Sequence, residues 1–163
     1  IAPSSRGLNE KDRIQFDKET EVFSAHCAVL FNNAVLKKIG LPYEDYFIMM
    51  EESEWGIRAG FSGYKNYYAP SAVCYHKVGK SMEQISSSGR VSVYYGVRNW
   101  LLTLRRDYGA VKFVLGMLLH FFILGPYYII VLTAKNKIEN IPPYFKAIFD
   151  ALLNKTPNRY IKQ

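Results

Sequence analysis

The sequence is poor in cysteine: its 163 residues include two, Cys27 and Cys74. Two cysteines without a CxxC pair or a nearby cluster exclude a disulfide framework and a cysteine-rich structural zinc site. They predict two buried, reduced thiols in a cytosolic compartment. A basic segment followed by an apolar one is missing from the start of the sequence, so secretion is not expected.

Nucleic-acid-binding motifs are also missing, although the net charge of +7 suggests an anionic partner. Zinc-finger spacing and RNA-binding signatures are absent, so we expect no nucleic-acid partner. Acidic lipid and a phosphorylated substrate remain as candidates. Basic residues bracket the most apolar part of the chain, which predicts contact with a membrane surface. These residues are Arg98, Arg105, Arg106, Lys112, Lys135 and Lys137.

About half of the residues are apolar (49%) and 21% are charged, as expected for a folded domain. Residues 1–20 are polar and predict an irregular lead-in. Residues 21–106 contain both predicted strands and predicted helices, and the fold expected for them is α/β. The predicted strands are 22–31, 65–68 and 72–76, and the predicted helices are 34–39, 51–62 and 91–106.

Residues 107–163 form an apolar and amphipathic tail that we predict to be helical and membrane-associated. The run 113–134 carries no formal charge and is long enough to span a bilayer, but Gly125-Pro126 divides it. Three interpretations follow: a kinked spanning helix, two short helices in the membrane interface, and a buried helical hairpin. We favour interfacial or re-entrant association, because each half alone is too short to span.

Three carboxylates, Glu51, Glu52 and Glu54, lie at the start of the predicted helix 51–62. The helix dipole stabilises negative charge at this end. Glu54 and Arg58 are four residues apart and predict an ion pair along the helix. This pattern by itself is more typical of a solvated capping turn than of a catalytic centre.

His76 ends a predicted strand, and Arg98 lies in a predicted helix. A single histidine at a strand end is more often hydrogen-bonded than metal-bound, and an arginine on a helix is usually a surface residue. The order of these residues along the chain is more informative than any one of them.

Five short segments follow an apolar strand at 23–31, and their order along the chain is informative. The segments are 35–47, 51–58, 63–64, 70–76 and 94–99. In this order they are similar to the motifs "lxxvGxFDExFF", "EDxDLxxR", "GY", "PxAxVxH" and "YYxxRN". Residues 22–106 therefore resemble the second half of the catalytic domain of glycosyltransferase family 2, especially that of rhamnosyltransferase-like enzymes of bacterial cell wall, capsule or O-antigen synthesis.

The resemblance implies that residues 21–106 form the acceptor-side half of a nucleotide-diphospho-sugar transferase fold (GT-A-like), a mixed sheet with flanking helices. The implied reaction is inverting transfer of a sugar from a nucleotide-diphosphate sugar to a hydroxyl of a glycan or lipid-linked acceptor. Glu52 falls on the family's general base, although the family has aspartate there. His76 falls on a ligand of the divalent metal, Mg²⁺ or Mn²⁺. The implied substrate-binding residues are Glu51, Glu54, Trp55, Arg58 and Arg98.

The donor-binding part of this family is not recognisable in the sequence, which has no DxD motif and no glycine-rich phosphate loop. We therefore expect this polypeptide to be inactive alone and to act within a larger enzyme at the cytoplasmic face of a bacterial membrane. The alternative is a non-catalytic, membrane-associated binding or scaffold module.

Overall fold

A computed structural model describes residues 6–24, 26–77 and 89–155. This part of the chain is mostly helical and contains one two-stranded antiparallel sheet. In chain order the elements are β1 (Thr20–Val22), α1 (Asn33–Ile39), α2 (Glu51–Phe61), β2 (Asn66–Tyr68), α3 (Arg90–Asp107), α4 (Ala110–Leu119), α5 (Gly125–Ala134) and α6 (Ile141–Leu152). Single 3-10 turns occur at Glu44–Tyr46 and Ile138–Asn140, and a π turn, His120–Leu124, joins α4 to α5.

The three helices predicted in residues 21–106 are confirmed to within one residue or two. Their end signals explain the agreement. The Asn32 side chain accepts a hydrogen bond from the Ala34 amide at 2.8 Å, and Gly40 ends α1 with a φ of 82°. Such a positive φ costs glycine little, so the turn stops the helix where the sequence predicts.

The sheet differs from the prediction. β1 pairs with β2 so that Thr20 faces Tyr68, but residues 26–31 and 72–76 are not in strands. A strand is stable when neighbouring strands pair its backbone, and no described segment lies alongside these two in that way. The expected mixed sheet is therefore not formed by the described residues, and the GT-A-like fold stays a prediction. The first five residues of the predicted lead-in, Ala25 and the end of the tail after Lys155 lie outside the described ranges.

The apolar run forms one helix, Ala110–Ala134, so the interpretations as two separate helices or a buried hairpin are wrong. Pro126 lies in the first turn of α5, where its missing amide is tolerated. The amide of Gly125 reaches back five residues to the carbonyl of His120. This wider π turn admits the proline without breaking the helix.

The main core is built on α3, which packs along α6 and also contacts α4. Tyrosines and aliphatic side chains fill this core, and the 3-10 turn Glu44–Tyr46 contributes one of the tyrosines. The buried members are Tyr46, Val91, Tyr94, Tyr95, Val97, Leu101, Leu102, Phe113, Tyr144, Ala147, Ile148 and Ala151. A smaller cluster of Val35, Trp55 and Ala59 joins α1 to α2.

Two polar side chains of α3 hold the loop that leads into α2. Arg98 is fully buried and donates to the backbone carbonyl of Lys155 at 2.9 Å and to Asp45 through its carbonyl at 3.0 Å and its carboxylate at 3.2 Å. Asn99, also fully buried, donates to the carbonyls of Tyr46 and Met49 at 2.9 and 2.8 Å. The loop conformation before α2 therefore depends on α3.

We predict that Arg98→Met lowers the free energy of unfolding by about 3–5 kcal/mol, because it leaves the carbonyls of Asp45 and Lys155 without this donor and removes one of the two arginines paired with the Asp45 carboxylate. The matched control is Arg90→Met at the exposed start of α3, which changes it by about 0.5 kcal/mol or less. Urea denaturation followed by circular dichroism measures both. Equal stability of the two variants would contradict the structural role of Arg98.

Asp107, at the end of α3, is a partly buried carboxyl with one oxygen that has no partner among the described residues. Burial, and then the charge of Glu54, raises the pKa of Asp107 to about 7. A carboxyl whose pKa is higher in the folded state binds its proton more tightly there, so stability falls as pH rises through that range.

We predict that Asp107→Asn becomes increasingly stabilising relative to the parent between about pH 4 and the folded pKa of about 7, and that the difference is constant above it. Thermal melts across this pH range measure the difference. Asp17→Asn, the same change at an exposed position, serves as the control and shows no such widening.

Candidate functional site

Four of the predicted site residues, Glu51, Glu52, Glu54 and Trp55, lie at the N-terminal end of α2. Met49 and Met50, just before the helix, both have a left-handed backbone, with φ of 70° and 76°. This turn places Glu54 and Trp55 inside the protein, whereas the Glu52 side chain remains 19% exposed. Of the three carboxylates in the run, Glu52 is thus available at the surface and Glu54 is not.

Glu52 and His76 meet through Cys27. The Oε1 atom of Glu52 accepts a hydrogen bond from the Cys27 amide at 2.8 Å and lies 3.4 Å from Nδ1 of His26. The Cys27 sulfur lies 3.4 Å from Nδ1 of His76. The structure therefore brings together the predicted base and the predicted metal ligand, which are far apart in sequence. Their roles stay predictions.

His26 and Cys27 were not predicted as site residues. Cys27 was expected to be buried, but it and Cys74 are both exposed free thiols, so that prediction is wrong. Residues 26–31 do not form a buried strand. Instead, His26 and the Cys27 amide lie against Glu52 at the start of α2. One feature of the sequence could have indicated this site: two of the three histidines of the chain, His26 and His76, lie in it.

The site electrostatics favour a protonated thiol. Burial, and then the charges of Glu52 and Cys74, raises the pKa of Cys27. Since the thiolate is the nucleophile, this environment does not support nucleophilic catalysis by Cys27. Burial also raises the pKa of Glu51, whose buried Oε2 has no partner among the described residues. Glu51 therefore holds its proton more readily than an exposed glutamate.

Glu54 and Arg58 form the ion pair predicted from their spacing, which is confirmed at 2.7 Å between Oε1 and Nε. Arg58 also donates to the carbonyls of Ile39 and Leu41, at the C-terminal end of α1. Glu54 is fully buried. These contacts fasten α1 to α2, and the geometry gives no support to the predicted contact of this pair with substrate.

Trp55 and Arg98 are also turned inward. The Trp55 side chain donates to the Gly40 carbonyl at 2.8 Å and packs edge-to-face on Phe31, with ring centroids 4.4 Å apart. The ring is 5% exposed and Arg98 is 0% exposed. Neither presents a surface on which a sugar could stack or a diphosphate could bind. The predicted substrate-binding roles of both residues are not supported.

Comparison of the chain with protein-family models, curated proteins and solved structures gives no match. The resemblance to glycosyltransferase family 2 therefore rests on the ordered sequence motifs. The juxtaposition of Glu52 with His76 is the structural observation compatible with it.

Proposed function

We propose that this chain supplies the acceptor-side residues of an inverting glycosyltransferase, with Glu52 as the general base. The observation that carries the proposal is a carboxylate, 19% exposed, that accepts a hydrogen bond from the Cys27 amide and is linked through Cys27 to His76. The same two residues are the ones that the ordered motifs select. The reaction joins a sugar from a nucleotide-diphosphate sugar to a glycan or lipid-linked acceptor.

In the proposed step, Glu52 takes the proton of the acceptor hydroxyl as its oxygen bonds to the anomeric carbon. The bond from that carbon to the diphosphate breaks at the same time, and the nucleoside diphosphate leaves with the electron pair. A single in-line displacement inverts the configuration at the carbon. The Cys27 amide holds the carboxylate in place for this transfer.

The resemblance implies a Mg²⁺ or Mn²⁺ ion shared by His76 and a DxD motif elsewhere in the enzyme. The donor beside His76 is the Cys27 thiol, and the His26 imidazole groups with Cys27 and Glu52; thiol and imidazole donors do not suit Mg²⁺. No step of the proposed mechanism is therefore assigned to an ion. We expect the donor diphosphate to be bound by βαβ units of the larger enzyme.

We predict that Glu52→Gln, made in the complete enzyme that contains this chain, lowers kcat for sugar transfer by about 10²–10⁴-fold with nucleotide-sugar binding unchanged. Glu10→Gln, the same isosteric change at an exposed glutamate, leaves kcat unchanged. The assay follows radiolabelled sugar in the product and nucleoside diphosphate release. Transfer by Glu52→Gln at the parental rate would refute the base assignment.

The second part of the proposal is attachment to a membrane surface. The helix Ala110–Ala134 is long and apolar enough to cross a membrane, and 17% of its most apolar window is buried in the protein. Large apolar side chains cover the remainder of its surface. The exposed ones are Val111, Val114, Leu115, Leu118, Leu119, Phe121, Phe122, Ile123, Tyr127, Ile129 and Ile130.

One narrow stripe of this helix faces the protein along its whole length: Phe113, Gly116, His120, Gly125 and Leu132. It contacts α3 at its beginning and α6 further on. These contacts therefore hold the helix against the rest of the protein along its whole length.

A spanning helix would carry α6 into hydrocarbon together with the Lys146–Asp150 ion pair, whose atoms are 2.6 Å apart. Burying such charges in a bilayer is costly. We therefore propose that the helix lies in the plane of the interface, as in a peripheral or monotopic protein at the cytoplasmic face. The flanking Arg106 is paired with Asp45, whereas Arg105, Lys112, Lys135 and Lys137 are exposed and can offer their charges to acidic lipid.

A non-catalytic scaffold module is the second candidate function, and the exposed apolar helix is the observation that favours it. Both candidates need membrane attachment, but the scaffold does not need Glu52. The Glu52→Gln comparison therefore separates the two.

We predict that the double variant Phe122→Ser with Ile130→Ser weakens binding to phosphatidylglycerol-containing vesicles at least tenfold, because each side chain is about 70% exposed on the lipid-facing surface. The control pairs Leu30→Ser with Tyr75→Ser, two apolar residues that are 99% and 94% exposed away from this helix. Vesicle co-sedimentation measures both. Equal binding by the two double variants would contradict the membrane proposal.

A further inference from the structure

Three potential metal ligands converge on the loop that holds Cys27. One donor atom each from His26, Cys27 and Glu52 lies within 4.8 Å of the other two. His76 lies beside this group, with its Nδ1 atom 3.4 Å from the Cys27 sulfur, and must come closer to His26 and Glu52 to serve as a fourth ligand. The three segments that supply these ligands are the 26–27 loop, the first turn of α2 and the chain after β2.

Two of the distances match a small tetrahedral site. In zinc sites, bonds of about 2.0 Å to nitrogen or oxygen and about 2.3 Å to sulfur place neighbouring donors about 3.3–3.5 Å apart. The separations of Cys27 from His76 and of His26 from Glu52 are both 3.4 Å. Two edges of such a tetrahedron are therefore already formed by the side chains.

The donor types select the class of ion. Two imidazoles, one thiol and one carboxylate are ligands for Zn²⁺ and related borderline-soft ions, whereas Mg²⁺ and Mn²⁺ prefer oxygen donors. The set therefore disagrees with the Mg²⁺ or Mn²⁺ that the family resemblance implies.

We propose that His26, Cys27, Glu52 and His76 bind one Zn²⁺ ion. On binding, the Cys27 thiol releases its proton to solvent and the sulfur bonds to the metal as thiolate. The hydrogen bond from the Cys27 amide to Glu52 holds the 26–27 loop against α2, so that Cys27 and Glu52 are already close together before an ion binds. His26 and Cys27 are exposed, so an ion can reach them from solvent.

Zinc at this site occupies the carboxylate that the proposed transfer needs as a base. The ion would therefore inhibit transfer instead of assisting it. Zinc binding itself does not depend on the proposed function, because it requires only the four ligands. A binding measurement on this chain can therefore fail without affecting the glycosyltransferase proposal, and the reverse is also true.

The test is titration of the reduced, tag-free 163-residue chain with Co²⁺ as a spectroscopic substitute, followed by displacement with Zn²⁺. We expect one equivalent to give the d–d bands of tetrahedral Co²⁺ and a thiolate-to-cobalt charge-transfer band, both lost when Zn²⁺ is added. Cys27→Ser retains the backbone amide that donates a hydrogen bond to Glu52. We expect this variant to lose the charge-transfer band and to bind Zn²⁺ at least tenfold more weakly. His76→Asn weakens it to a similar degree.

Cys74→Ser is the matched control, since it removes the other exposed thiol and leaves the four ligands intact. It keeps the parental spectrum and affinity. Circular dichroism of each variant separates loss of ligands from loss of fold. Absence of a charge-transfer band in the folded parent, or parental zinc affinity in folded Cys27→Ser, would overturn the proposal.

Discussion

The structure depends on the polar contacts that Arg98 and Asn99 make from inside the core. Both side chains are fully buried on α3 and bind the backbone of the loop before α2. Because buried donors and charges must be paired, these contacts determine the loop conformation and not merely its stability. The loop in turn sets where α2 begins, and hence which of the three glutamates reaches the surface. The family resemblance implies that Arg98 binds substrate. In the structure, Arg98 instead positions the candidate base Glu52 indirectly, through the loop before α2.

The helices of this protein could be predicted because their signals are local. Asn32 and Gly40 mark the ends of α1, and the spacing of Glu54 and Arg58 fixes their ion pair. Of the predicted strands, 65–68 is confirmed as β2, whereas 22–31 and 72–76 are not formed as predicted, since a strand needs partners that sequence does not identify. The local rule for proline leaves both a kinked helix and two separate helices open at Pro126, and the choice between them depends on the π turn, which admits the proline within one helix.

The candidate site was partly predictable for a related reason. Glu52 and His76 belong to ordered motifs, so their type and order in the chain identified them. His26 and Cys27 join them only because residues 26–31 leave the predicted strand and bend toward α2, which depends on tertiary contacts. Trp55 and Arg98 fit the same motifs, yet both are buried, since a motif specifies residue type and not the direction of a side chain.

The π turn at His120–Leu124 also determines how the long helix is oriented about its own axis. A π turn adds one residue to the helical repeat, and each residue of an α-helix rotates the following side chains by about 100°. His120 and Gly125, on either side of this insertion, both face the protein. The loss of a single residue there would turn α5 by more than a quarter revolution and move Leu132 off the protein side. The helix therefore keeps one protein face and one apolar face because of the length of this short segment more than because of the identity of its apolar side chains.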